Sequence, residues 1–311
     1  DWERLLAESA GASGFTTPAW QHKWWQVVGG DACLKLLSVR ERGAVKGLAA
    51  LMTRGNEVCF LGGSDLVDYH DFVHSGIDDQ AFYRSVFDYL AAWPEWESLR
   101  LTSLPDWSPA IEAVPEAAEA VGWRVERCLE DVAPGMALPG TWDEYLAGLS
   151  KKDRHELRRK LRRLERAGRS EHVCFSAPDE IAGNLDDFLR LHRMSGPEKA
   201  EFMTPEREGF FRRVLVELAR EGRSRLHFLE IDGVRVATSV CFVYGACKFV
   251  YNSGYDPEYR SLSVGVLNHA LCIRASIEEG IRFFDFLRGD ESYKYHLGAH
   301  DRSLYNLIVT R

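Results

Sequence analysis

The feature that most constrains this chain is a strand–turn pattern that occurs twice. Residues 34–39, 47–53 and 57–61 are short β runs separated by Arg42-Gly43 and Arg54-Gly55, and Gly62-Gly63-Ser64-Asp65 closes the set. Residues 226–231, 236–244 and 248–252 follow the same plan, with turns at Asp232-Gly233 and Gly245-Ala246 and a loop entered at Gly254. Asp-Gly between alternating β runs is a strong hairpin signal. A helical run and a further β run follow in each copy: 80–93 then 99–104, and 264–279 then 281–287. The order of elements agrees over roughly 75 positions although few residues are identical. The expectation is an α/β (α+β) protein of two tandem units, 1–133 and 134–311, each a mixed, largely antiparallel sheet flanked by helices. Pro134, Gly135, Pro139 and Gly140 mark the junction.

Composition narrows the class. A net charge of −8 argues against a chain built to coat nucleic acid or an anionic membrane. The seven cysteines are scattered without a C-x-x-C pair, which favours reduced thiols and a cytoplasmic protein over a disulfide framework. No apolar run approaches the ~18 residues of a membrane span, and the residues from Asp1 do not resemble a signal peptide. Trp20, Trp24 and Trp25 recur at helical spacing and are expected in a core. Asp68, Tyr69, His70, Asp71 and His74 form a polar knot after the first meander. On a helix the two histidines would share a face, but no third ligand is evident, so a loop network is the expectation and no metal is assigned.

The second copy carries an additional element. After 248–252, Pro257 stops the strand, and Ser261 or Ser263 can cap a helix with apolar positions Val266, Ala270, Ile273 and Ile277. A loop entering a helix in this way aims free N–H groups at whatever anion lies in front. After the next strand come Arg288, Asp290, Glu291, Tyr293, Lys294 and His296, within reach of the same cleft.

Residues 151–169 stand apart in composition. Ten basic and three acidic residues give a local charge of 10 − 3 = +7 within a protein of −8, and Leu157, Leu161 and Leu164 form a narrow apolar stripe. The segment reads as a helix docked along one side. Its other faces are either a solvated surface paired with acidic groups or a site for an anionic substrate such as a nucleotide-sugar, a phospholipid head group or tRNA. Nothing in it resembles a DNA-recognition helix.

Three antiparallel strands, a phosphate-cradling loop, a helix and another strand form the order of the GNAT acyltransferase fold. Arg260-Ser261-Leu262-Ser263-Val264-Gly265 resembles the family's Q/R-x-x-G-x-G/A pyrophosphate loop, with Ser263 in place of the first glycine. The tandem arrangement, the basic helix and Asp285-Phe286-Leu287-Arg288-Gly289-Asp290-Glu291 with Tyr293-Lys294 resemble the CelD-like acetyltransferases, relatives of the Fem-type aminoacyltransferases. Phe15-Thr16-Thr17-Pro18-Ala19-Trp20 and Asp68-Tyr69 also look like that group.

The resemblance implies transfer of an acyl group from acetyl-CoA or another acyl-CoA to an amine on a small-molecule or anionic acceptor, in envelope or exopolysaccharide biosynthesis. In the Fem branch it implies aminoacyl transfer from tRNA, with helix 151–169 as the tRNA contact. A non-catalytic protein that binds an anionic ligand is the third reading. In the GNAT scheme residues 260–265 hold the cofactor. For the chemistry, Tyr293 is expected to protonate the leaving thiolate, Asp285 or Glu291 to take the amine proton, and Lys294 and Arg288 to bind phosphate or the oxyanion. Asp285 is equally read as a buried partner of Arg288 or Lys294. Tyr255, Asp256, Asp290, Asp68 and Tyr69 are expected on the acceptor side, although Tyr255 and Asp256 also suit a turn before Pro257.

Overall fold

Left-handed turn residues close the hairpins that the sequence announces. Arg42 and Gly43 have φ of 48° and 84°, and Asp232 and Gly233 have 51° and 80°, the pair of positive values that matches a two-residue turn to strand twist. The computed structural model describes residues 1–63 and 65–311. They divide into two units, Asp1–Val132 with Arg302–Arg311, and Ala133–Asp301.

The first unit opens with helices α1 (Trp2–Leu6) and α2 (Pro18–Val28). Trp20 and Trp24 are buried, as their spacing predicts. Strands β1 (Cys33–Glu41), β2 (Ala44–Arg54) and β3 (Glu57–Phe60) form the antiparallel meander, and the short β4 (Val73–His74) pairs with β2. Helix α3 (Asp79–Ala92) leads to β5 (Ser98–Pro105), which lies parallel to β3. Helix α4 (Ala110–Ala120) and β6 (Arg124–Val132) complete the run. His70 and His74 do not share a helix. His70 stacks on Phe60 and His74 on Phe82, each against an aromatic of the core.

The second unit contains β7 (Gly135–Ala137), α5 (Trp142–Gly148), α6 (Lys151–Ala167), β8 (Ser170–Phe175), α7 (Pro178–Met194), α8 (Pro197–Phe202) and α9 (Pro205–Arg220). Next come β9 (Ser224–Ile231), β10 (Val234–Tyr244), β11 (Cys247–Tyr255), α10 (Val264–Glu278), β12 (Phe283–Asp285) and α11 (Ser292–His296). Its sheet runs β7-β12-β11-β10-β9-β8, antiparallel except for the β11–β12 pair. Leu157 and Leu164 of α6 enter the core of this unit, so the basic helix docks along its leucine stripe. The series β1-β2-β3-α3-β5 and β9-β10-β11-α10-β12 agree in order and direction, including the parallel third and fourth strands.

Two expectations need correction. The second unit does not keep the residues to 311. The last strand, β13 (Ser303–Thr310), inserts between β5 and β6 in the first sheet, burying Leu304, Leu307 and Val309 there. The strand expected over 281–287 is also shorter. Asp285 Oδ1 accepts from the Leu287 N–H at 2.8 Å, Leu287 turns to φ 58°, and the ladder stops at Asp285.

Candidate functional site

That early stop opens a cleft. β11 and β12 pair only over Cys247–Phe249 and Phe283–Asp285, after which β11 runs on to Tyr255 without β12 beside it. A cavity of about 440 Å³ lies there, lined by Ser253 to Tyr255, Arg260, residues 263–266, Lys199, His269, Glu291 and Tyr293.

The loop into α10 is built by local hydrogen bonds. Asp256 Oδ1 accepts from the Glu258 N–H at 3.0 Å and starts a 3₁₀ turn, Pro257–Leu262, which Ser263 closes through its N–H to the Arg260 carbonyl at 2.9 Å. Ser263 stands at the helix boundary but does not cap it. Its backbone is left-handed (φ 59°, ψ 37°), and its Oγ accepts instead from Arg163 Nη2 of α6 at 3.3 Å. The amides of Val264, Gly265 and Val266 precede the first α10 bond, Leu267 N–H to Ser263 O at 3.0 Å. No acidic residue occupies that turn, so the positive end of the helix faces the cleft. Gly265 permits this packing: a Cβ there would stand 3.2 Å from the Tyr255 ring.

Within the cavity, the Tyr293 ring lies flat against His269 (5.1 Å, 7°), and its phenol is pushed up by burial and then by Glu291. The hydroxyl stays protonated and can donate. Burial, then Lys199 and Lys294, push His269 down to about 3, so its ring is neutral, with Nδ1 3.4 Å from Ser239 Oγ. Lys199 Nζ donates to the Ser253 carbonyl at 2.5 Å. Burial lowers its pKa, and Glu291 opposes that shift. The Glu291 carboxylate is exposed at the cavity edge.

The cavity brings together Tyr255, Arg260, Ser263, Val264, Gly265, Glu291 and Tyr293 from the expected set. The others are placed differently. Lys294 is 2 % exposed, and its Nζ binds the carbonyls of Leu287, Arg288 and Gly289 (3.0, 2.8 and 2.9 Å) and Glu291 Oε2 (2.9 Å). All its protons are engaged, so it pins the loop after β12 and does not reach a substrate. Asp285 has no exposed surface and serves the turn at Leu287, which leaves Glu291 as the carboxylate at the cleft. Asp256 is the cap of its turn. Ser261 is exposed, and Leu262 packs against the core. Arg288 supplies a carbonyl to Lys294, and neither it nor the exposed Asp290 lines the cavity. Asp68 and Tyr69 belong to the first unit, where buried Tyr69 accepts from Arg302 at 3.1 Å.

Sequence reasoning missed Lys199 and His269. Lys199 sits on α8, a short helix between two others, with no motif around it. His269 is one of two polar side chains, with Asn268, on a nearly continuous apolar stretch of α10; that interruption is the signal that marks it.

Basic helix α6 is only partly neutralised. Arg159 and Lys160 pair with Glu156, whereas Arg158, Arg162 and Arg166 have no acidic partner among the described residues. Elsewhere in the unit His172, His227 and Cys272 bring potential ligand atoms within 4.8 Å of one another. The two imidazoles are stacked at 5.0 Å and 7°. A shared ion needs each in-plane lone pair aimed at it, which separated parallel rings do not provide. Burial keeps both rings neutral, His172 down to about 4 and His227 well below the usual range, as expected for packed core side chains.

Residues 151–295 match the family model for an acetyltransferase (GNAT) domain. Among solved structures, FemX aligns over 98% of this chain and 94% of its own at 11% identity with a TM-score of 0.71. A conserved protein of unknown function from Bacteroides thetaiotaomicron VPI-5482 aligns over 100% and 97% at 13% identity and 0.66. The C-terminal DUF2156 domain of a provisionally assigned lysylphosphatidylglycerol synthetase from Agrobacterium fabrum aligns over 99% and 89% at 11% identity and 0.59. At these identities the likeness is one of fold. No curated protein matches the chain. No helix among the described residues is long and apolar enough to cross a membrane.

Proposed function

We propose that this chain, whose residues 151–295 match the model of a GNAT acetyltransferase domain, is an N-acyltransferase that moves an acyl group from acyl-CoA to an amine at the cleft between β11 and β12. The observation that carries the reading is the coincidence, at one cavity, of an uncapped helix N-terminus with a protonated phenol and an exposed carboxylate.

Acyl-CoA supplies the activated carbonyl and a thiolate leaving group; the chain's own residues do the rest. The amides of Val264 to Val266 and the Arg260 guanidinium hold the diphosphate by charge and hydrogen bonding. Ser253 to Tyr255, the end of β11 that β12 leaves open, line the groove for the pantetheine arm, with the Ser253 carbonyl and the Tyr255 N–H already held by Lys199 and Ser195. Glu291 takes the proton of the attacking amine, directly or through water, and Tyr293 delivers one to the departing sulfur. Lys199, drawn into the cavity by the Ser253 carbonyl, faces the acceptor side and favours an acceptor that carries a negative group beside its amine.

The unneutralised Arg158, Arg162 and Arg166 favour a second reading, aminoacyl transfer from tRNA in the manner of the Fem branch. Thermal shift with acetyl-CoA, coenzyme A and aminoacyl-tRNA separates the two. A ligand at about 100 times its Kd stabilises by roughly 2.7 kcal/mol. A response to acetyl-CoA, with thiol release on adding amines, is expected. A response to aminoacyl-tRNA alone selects the second reading, and no response to either leaves a binding protein without this activity.

A further inference from the structure

Ser263 stands where the loop pattern it resembles has glycine, and its backbone is left-handed, the region that favours glycine. A side chain has thus been accepted at a strained position, and the structure shows what it touches. Its Oγ holds Arg163 Nη2 at 3.3 Å. A guanidinium has five N–H donors. Among the described residues, that bond is the only hydrogen bond Arg163 makes, and its Nε is buried without a partner. Arg163 precedes Leu164, which with Leu157 anchors α6 in the core and so fixes the arginine's base. The guanidinium is therefore delivered to the start of α10 with most of its donors unused. Arg260, on the cavity wall, brings a second guanidinium to the same loop.

We infer that Arg163 is a donor-selecting residue: oriented by Ser263, it forks onto a diphosphate resting on the amides of Val264 to Val266. Serine at the glycine position forgoes the closest backbone approach to the phosphate and gains a guanidinium in return. Two guanidiniums and a helix N-terminus match the two charges of a diphosphate better than the single charge of a phosphodiester. The inference rests on the acyl-CoA reading only for the identity of the molecule that carries the diphosphate.

The test is calorimetric titration of the full chain with inorganic pyrophosphate and with coenzyme A, comparing wild type, Arg163→Ala, Arg163→Lys and the surface control Arg220→Ala. Circular dichroism and Tm establish that each variant is folded. Arg163→Ala is expected to weaken both ligands by about tenfold or more, Arg163→Lys to recover part of that loss, and Arg220→Ala to bind as wild type. Wild-type affinity for pyrophosphate in a folded Arg163→Ala overturns the inference. So does an equal loss in Arg220→Ala, which would make the effect one of net charge. Pyrophosphate bound in an Arg163-dependent way with coenzyme A refused supports the clamp and removes the acyl-CoA reading. A wild type that binds neither overturns both.

Discussion

The two units place a helix after the same meander and finish its first turn in opposite ways. In the first, Asp78 caps α3, its Oδ2 accepting from the Ala81 N–H at 3.1 Å, and Asp79 follows in the first turn. Carboxylates of the chain occupy the position an anion would take. Past β3, Phe60 makes ring contacts with both His70 and Phe72, and the void that Phe60 and His70 help to line is about 10 Å³. In the second, α10 has neither cap nor acid, its entry residue is left-handed, and about 440 Å³ lies in front of it. One topology thus supports a sealed copy and an open one. The difference lies in a few residues at a helix start and in how soon the neighbouring strand stops.

Acid is the strongest way to separate the two. Burial pushes His172 and His192 down to about 4 and His269 to about 3, all in the second unit. Their folded values lie below the unfolded one, so their contribution is present above about pH 6.5 and is lost as pH falls toward 4, about 3 kcal/mol each and on the order of 10 kcal/mol in sum. In the first unit burial raises Asp71 to about 7, with Ser108 and Phe72 opposing and Asp79 adding to the shift. Its cost is absent below about pH 4 and grows as pH rises through 7, while His74, lowered by burial, acts in the other sense. Amide exchange followed from pH 7 to 4 is expected to show earlier opening in the second unit. Asp71→Asn is expected to remove the pH-dependent cost in the first. Equal acid sensitivity of the two units would break the contrast.

Next in size is Lys294→Ala, expected to cost about 3–5 kcal/mol by denaturant titration, because three inward carbonyls lose their donor. Full stability with lost turnover would return Lys294 to the chemistry. Tyr293→Phe is expected to leave stability within ~1 kcal/mol and lower kcat about a hundredfold, the contribution of a proton donor. Unchanged kcat would exclude it from proton transfer. The helix starts themselves give the smallest effect. Asp78→Ala should cost about 1 kcal/mol, whereas Ser263→Gly should stay within about 0.5 kcal/mol of wild type, because relief of the left-handed backbone offsets the lost bond to Arg163. Equal losses, persisting in an Arg163→Ala background, would mean that Ser263 caps α10 in solution.

Legibility in the sequence followed the range of the interactions. The hairpins, the duplicated order and the leucine stripe of α6 rest on neighbours in the chain, so Asp232-Gly233 or Leu157-x₃-Leu161 announces them. The place of β13 does not, because Leu304, Leu307 and Val309 are apolar as in any half-buried strand and carry no mark of which sheet they join. At the cavity, Arg260, Ser263, Gly265, Glu291 and Tyr293 are lining residues that a motif had singled out. Lys294 was misread for a physical reason: a lysine in a polar cluster points outward unless backbone carbonyls converge on it, and that convergence depends on the left-handed turn at Leu287. Lys199 reaches the cavity from a remote helix, a relation no local pattern encodes.

The insertion of β13 between β5 and β6 has a consequence for the order of assembly. During synthesis β1 to β6 emerge first, but β5 and β6 lack the strand that joins them until residues 303–310 leave the ribosome. The second unit, Ala133–Asp301, is contiguous in the chain and has all its strands by then. The unit made first is therefore the one completed last, and two unpaired strand edges wait through the translation of the other unit, open to misplaced pairing. A nascent chain arrested before Ser303 should be protease-resistant in its second unit and labile in its first.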